Sequence, residues 1–325
     1  MTSPPAGHKP VMLREALGLL DLVKGGVYID ACLGDGGHAL AICEVVGTCG
    51  AVVAIDRDPE AVQRVAARVG ASLPQLRPAH GDFADMDTIA RSQGFETVRG
   101  VLMDLGLSSA QLDPGSGRGF SFLGDEPLDA RIDQSTGPTL ADVIATIDQD
   151  ELAHVLRRYG DEPRARAIAR AIVAERAASP IRTTARLADV IRRAVGPSSG
   201  RIDPATKAFM ALRIHLNSEM ECLERGLAAA ERVLATHGRL VVLSYHSGED
   251  RIVKRHLARA ARGCICPPRA PLCTCGRKPT LRPLTGRPLR PGEEEVCDNP
   301  RARSCRLRAA ERTEEASDGR VDNIA

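Results

Sequence analysis

Tryptophan is absent, and only three tyrosines and five phenylalanines occur in 325 residues. A row of stacking aromatics is therefore excluded as a way of holding nucleobases, and any nucleic acid must be held mainly through its charge. No run approaches the ~18 apolar residues that cross a bilayer, and residues 1–10 lack the apolar segment of a secretory signal. These absences predict a cytoplasmic protein without a membrane partner. Its ten cysteines are then expected as thiols or metal ligands rather than structural disulfides.

What is present is an ordinary globular composition, 43% apolar and 26% charged, long enough for one large domain or two joined ones. Charge is uneven along the chain. Residues 251–325 hold 17 of the 44 Lys and Arg but only 9 of the 42 Asp and Glu. A basic C-terminal quarter after an acidic body suits an anionic partner, or simply a solvated surface.

From Gly26 to Asp113 short β-branched runs at 27–32, 51–56, 76–80 and 99–104 alternate with helical stretches, the pattern of a parallel α/β sheet. Each run ends in polar or glycine residues, and such sheets bind ligands at the carboxyl edge of their strands. A Gly/Ser loop (114–126) then leads into residues with helical periodicity. Leu187, Val190, Ile191 and Val195 recur behind the cap candidates Thr183 and Thr184, and Pro163 opens a helix carrying Ile168, Ile172 and Val173. These stripes are expected as core. Strand character returns at 239–244 after a helix over 217–236. A basic helix (249–261), a Cys/Pro segment (263–279) and a strand at 304–310 follow. The expected division is an α/β domain in two parts, 1–113 and 213–312, an inserted all-helical domain, 114–212, and a polar tail, 313–325.

The first strand runs into Asp30-Ala-Cys-Leu-Gly34-Asp-Gly36-Gly37-His38-Ala39. Its glycines let a ligand approach the backbone at the start of the next helix, and Asp56 at the end of the second strand is spaced to hold a ribose. Alone, the loop also satisfies a dinucleotide fingerprint. Asp30 in front of it favours S-adenosylmethionine, because a carboxylate suits the methionine end of that cofactor and repels a pyrophosphate. His80-Gly-Asp82-Phe83 is placed to flank an adenine, although Phe83 also reads as core.

Seven segments together resemble the RsmH (MraW) family: residues 30–38, Asp104-Leu-Gly-Leu-Ser-Ser-Ala-Gln-Leu-Asp113, Arg118-Gly-Phe-Ser-Phe122, Leu128-Asp-Ala-Arg-Ile-Asp133, residues 204–214, Ser244-Tyr-His-Ser-Gly-Glu-Asp-Arg251 and residues 299–304. The resemblance runs from His8 to about Glu311. It implies a Rossmann-like class I methyltransferase domain with an inserted helical domain that helps form an RNA cleft. The implied reaction is methylation of N4 of a cytidine in the decoding centre of 16S ribosomal RNA, position 1402 in the usual rRNA numbering, with the small ribosomal subunit as partner. Carried over, the cofactor site comprises Gly36, Gly37, His38, Asp56, Phe83, Asp104 and Gln111. Cys32 stands where the family usually has Thr, Ala130 and Ile132 replace two Met, Met210 a Gln and Gly248 a Leu. None of these removes a cofactor contact.

The exocyclic nitrogen of cytosine is a weak nucleophile, so an acceptor aimed at its amino protons is wanted. Asp104 is one catalytic candidate and His246 the other; an Asp/Asn-Pro-Pro-Tyr signature is absent. Against His246 stands a structural reading, since Ser247-Gly-Glu-Asp250 reads as a capping box that would fix it. Arg251, Lys254, Arg255, Arg301, Arg303 and Arg306, with Arg118 and Arg131, are candidate phosphate contacts. Cys264, Cys266, Cys273 and Cys275 form a C-x-C-x6-C-x-C array. No metal is assigned to it, and zinc, paired redox thiols and plain loop cysteines all stay open. Three other readings remain: a methyltransferase on another amino substrate, a ribosome-assembly binding factor, and an NAD-binding protein.

Overall fold

The computed structural model describes residues 9–196, 203–264, 266–267, 272 and 274–314; Cys273 and the tail beyond Glu314 lie outside the described residues. The chain divides into two compact units, Met1–Gly106 with Met220–Ala325, and Leu107–Glu219.

In chain order, the first part of the α/β unit contains α1 (Leu13–Leu20), β1 (Val27–Asp30), α2 (Gly37–Val46), β2 (Ala51–Asp56), α3 (Pro59–Val69), β3 (Leu76–His80), α4 (Met86–Ser92) and β4 (Val98–Asp104). The helical unit follows with α5 (Ser109–Leu112), α6 (Leu140–Thr146), α7 (Gln149–Gly160), α8 (Ala165–Ala178), α9 (Thr184–Val195) and α10 (Pro204–Leu216). The α/β unit is completed by α11 (Glu219–Val233), β5 (Leu234–Ser244), α12 (Ser247–Ala260), β6 (Leu281–Pro283), α13 (Glu293–Asp298) and β7 (Arg306–Arg312).

Seven strands form one sheet in the order β3-β2-β1-β4-β5-β7-β6. β1 to β5 run parallel, β7 is antiparallel to β5, and β6 is antiparallel to β7. This is a Rossmann-like α/β fold. The central strands read as apolar runs because helices cover both faces: Val52, Val53, Ala54 and Ile55 of β2 are all fully buried. Local signals agree with the fold, as at α3, where Asp58 caps the helix by accepting from the Glu60 N–H at 3.0 Å and Pro59 occupies the first turn. The strand order reverses between β1 and β4, which makes the carboxyl ends of these two strands the place where such sheets bind ligands.

The helical unit has its own core, in which Ile168, Ile172, Leu187, Val190 and Ile191 are buried with Leu152, Leu156 and Leu212. The apolar stripes seen in the sequence are therefore packing surfaces, each such side chain contributing roughly 1.5–3 kcal/mol. Thr183 caps α9, accepting from the Arg186 N–H, whereas Pro163 lies before the first turn of α8 rather than in it. The unit boundaries fall at 106/107 and 219/220 instead of 113/114 and 212/213. Leu107 and Leu112 pack against the helical core, and α10 continues beyond residue 212 with Leu216 against the same core. Similarly, β5 sets in at Leu234, ahead of the apolar run at 239–244, through an irregular stretch that includes His237 at φ 64°.

Candidate active site

The backbone after β1 is tied down on both sides. Ala31 N–H donates to the Leu102 carbonyl on β4 and Leu33 N–H to that of Ile55 on β2, both at 2.8 Å. Gly36 then turns the chain into α2 with φ +81°, a left-handed conformation that favours glycine. A Cβ on Gly36 would lie 3.0 Å from Arg68 Nη2, and one on Gly37 3.1 Å from Pro10. The N-cap of α2 is Gly36, which has no side chain to cap the helix, and in the first turn the Ala39 N–H is turned to the Asp30 carboxyl. Asp56 holds the loop from the next strand, accepting from Gly34 N–H at 2.7 Å through Oδ2 and from Asp58 N–H at 2.8 Å through Oδ1.

Acids end four successive strands or the turns after them: Asp30, Asp56, Asp82 and Asp104. Asp30 is 1% exposed; its Oδ1 accepts from Cys32 N–H at 3.2 Å, while Oδ2 has no hydrogen-bond partner among the described residues. Burial pushes its carboxyl up from 3.8 to about 8; the Cys32 and Ala39 N–H groups oppose the rise, and the charges of Asp104 and Asp56 add to it. Burial likewise raises Asp56. Cys32, half-buried beside all four acids, is held well above the usual thiol range, first by desolvation and then by their charges. It is an inert neighbour, not a nucleophile. A buried carboxyl oxygen without a partner inside a ring of acids is suited to a cationic, donor-rich ligand.

Asp104 is gripped from two sides. The Tyr245 hydroxyl donates to Oδ1 at 2.7 Å, and His38 Nδ1 faces Oδ2 at 3.5 Å. His38 Nε2 lies 3.1 Å from the Val11 carbonyl, which can only accept, so this nitrogen carries a proton. Burial, reinforced by the Asp104 charge, raises the Tyr245 phenol far above its ordinary range and keeps it a neutral donor. The two partners fix the direction of the carboxylate as well as its position.

Past β3, Asp82 caps the short 3-10 turn that carries Phe83, accepting from Ala84 N–H at 2.8 Å. Asp82 Oδ2 also accepts from Cys222 Sγ at 3.2 Å and lies 3.6 Å from Arg57 Nε. The Phe83 ring rests on Gly226 of α11, where a Cβ would come within 2.4 Å of Cδ2. Gly226→Ala is therefore expected to push the ring out of place and destabilise the α/β unit by about 1–3 kcal/mol, read by denaturant unfolding. An unchanged midpoint would show that the ring has room to move.

His246 and Gln111 are both engaged in helix caps. His246 is the N-cap of α12: Nδ1 accepts from Gly248 N–H at 3.1 Å and Glu249 N–H at 3.4 Å, while Glu249 Oε2 accepts from the His246 N–H at 3.2 Å. The capping box thus begins one residue before Ser247. With Nδ1 accepting, the ring proton sits on Nε2, 3.2 Å from Glu249 Oε1. Gln111 belongs to the helical unit, where its Oε1 accepts from Ser108 N–H at 2.9 Å and the Ser108 hydroxyl caps α5 in return.

The basic candidates separate into two groups. Arg118 is 5% exposed and donates to the carbonyls of Ile132 at 2.6 Å and Arg131 at 3.3 Å; Arg131 pairs with both oxygens of Asp129 at 2.8 Å. Arg306 pairs with Asp250 at 3.0 Å. Arg118 is thereby a buried structural contact, contrary to the phosphate role expected of it, whereas Arg131 and Arg306 hold these partners while partly exposed. Arg251, Lys254 and Arg255 line one exposed face of α12, and Arg303 is exposed before β7.

Sequence reasoning missed Tyr245 and Cys222 as site residues. Tyr245 sits inside a motif that was recognised, and its spacing one residue past β5 was the available signal; nothing local marks Cys222.

The MraW methylase family pattern matches residues 5–313. A protein of Thermomicrobium roseum named "Ribosomal RNA small subunit methyltransferase H" is 51% identical over 314 residues, covering 96% of this chain and 95% of its own length. Proteins of the same name from Geobacter sulfurreducens and Trichlorobacter lovleyi are 46% and 45% identical, each covering 94% of this chain and 98% of its own.

Proposed function

This chain belongs to the MraW methylase family, and from that premise we propose that it methylates N4 of cytidine 1402 in the decoding centre of 16S ribosomal RNA. The methyl donor is S-adenosylmethionine, which supplies an electrophilic methyl group on a sulfonium. The observation that carries the reading is the partnerless, buried Oδ2 of Asp30 beside the glycine cradle of residues 34–37.

In this reading Asp30 pairs with the cationic methionine end of the cofactor and Asp56 accepts from the ribose hydroxyls. Gly36 and Gly37 admit the ligand to the backbone, and Phe83 lies against the adenine. Gln111 is a further cofactor residue by the family resemblance, and the helical unit serves RNA recognition. The acceptor cytosine leaves its helical context so that N4 can approach the methyl group in line. Asp104 would accept a hydrogen bond from the amine and take the proton that N4 sheds when the methyl passes to it, the S–CH3 bond of the donor breaking with its electron pair left on sulfur. Tyr245 and His38 hold it in line for that task. His246 stays a cap. The exposed face of Arg251, Lys254 and Arg255 contacts RNA phosphates, as the scarcity of aromatics requires.

The state of Asp30 makes a prediction. With its carboxyl near 8 in the free chain, it is mostly protonated at pH 7; an ammonium beside it favours the carboxylate, so binding expels a proton. Affinity for S-adenosylmethionine should rise with pH up to about 8, by at most about tenfold per unit. Stability of the free chain moves the other way: the folded value lies above the unfolded 3.8, so this group costs stability progressively as pH climbs from about 4 to about 8. Titration calorimetry in buffers of different ionisation enthalpy reads the proton release. Asp30→Asn should bind more weakly and without this pH dependence, and a flat profile for the unaltered chain would refute the assignment.

A further inference from the structure

The segment between α12 and β6 is a closed excursion. At its base Thr280 N–H donates to the Ala260 carbonyl at 2.9 Å, and Gly263 lies against Pro279. Between these points the sequence offers little to pack; Leu272 is 77% exposed. Small segments without a large apolar core commonly hold their shape with a metal.

Three sulfurs converge here. The Sγ atoms of Cys264, Cys266 and Cys275 all lie within 4.8 Å of one another, and among the described residues no other set of three metal-ligating side chains gathers in this way. Cys264 and Cys275 sulfurs are 3.7 Å apart. Tetrahedral zinc with bonds of about 2.3 Å places its sulfur ligands about 3.8 Å apart. The Cys266 N–H donates to Cys264 Sγ at 3.4 Å, a backbone contact that steadies a thiolate. Convergence of three sulfurs, not two, distinguishes the arrangement from a redox pair. Among the described residues, the other exposed cysteines, Cys49 and Cys297, lie outside the cluster.

We propose that Cys264, Cys266 and Cys275 form a structural site for a zinc-class divalent ion that pins the loop between α12 and β6. On binding, each thiol releases its proton to solvent and donates a sulfur lone pair to the ion, with no change of oxidation state. The ion closes the loop that follows α12 and takes no part in methyl transfer.

The test uses the full-length chain produced with zinc present. Metal analysis after dialysis should find zinc at about one per chain, and replacement by cobalt should produce sulfur-to-cobalt charge-transfer absorption with the visible bands of tetrahedral coordination. Cys264→Ser with Cys275→Ser should lose both signals, whereas Cys49→Ser with Cys297→Ser should keep them. Chelation should also speed proteolytic cleavage within residues 261–279. The cobalt spectrum of the unaltered chain stands even if the double variant folds poorly. Absence of zinc and of cobalt bands, zinc retained in the Cys264/Cys275 variant, or isolation of these thiols as a disulfide would overturn the proposal.

Discussion

Asp104→Asn is expected to lower kcat by about 10²–10⁴-fold, the range over which a positioned general base acts, while leaving the chain folded. The substitution keeps the shape of the side chain. The Tyr245 neighbour tolerates an amide, since its hydroxyl can donate to the new carbonyl oxygen. What disappears is the negative charge that draws a proton from the amine. Tyr245→Phe removes the hydrogen bond but not the charge, so its loss should be smaller. Single-turnover methylation with thermal unfolding alongside separates these effects, and turnover by Asp104→Asn equal to that of the unaltered chain would remove Asp104 as the base.

Arg118→Ala should unfold the helical unit at markedly lower temperature, with a cost of about 2–5 kcal/mol from two carbonyls left without their donor and from lost packing. Arg118 is buried and holds the loop at Arg131 and Ile132, which Asn217 also supports by accepting from Ile132 N–H at 2.8 Å and donating to the Ala130 carbonyl at 2.9 Å. A residue that touches RNA phosphates behaves differently. Arg255→Ala, on the exposed face of α12, should leave the melting temperature nearly unchanged, weaken RNA binding and reduce its salt dependence by roughly one counterion. Calorimetry paired with salt-dependent RNA binding distinguishes the two. If Arg118→Ala melted normally and lost only RNA affinity, its place would be on the RNA-binding surface.

The contrast between these arginines shows where sequence reading stops. Strand ends were legible because β-branched runs finish in Asp or Gly, which is how Asp30, Gly36, Asp56 and Asp104 were found. Partners set by the register of distant strands were not. Tyr245 reaches Asp104 only because β5 lies beside β4 with Asp104 opposite Leu243, and Cys222 meets Asp82 across a separation of 140 residues. Arg118 reads as a phosphate contact because arginine is ordinarily exposed, and no local pattern announces two buried carbonyls. At α12 the ordinary preference for Ser as a cap pointed to Ser247, while the fold gives that place to His246.

The central claim is tested most directly by incubating the purified protein with unmodified small ribosomal subunits and isotopically labelled S-adenosylmethionine, then analysing nucleosides of the 16S RNA by mass spectrometry. The expected product is labelled N4-methylcytidine confined to the fragment that contains position 1402. Cofactor binding without label in that fragment, or label on another nucleoside, would contradict it.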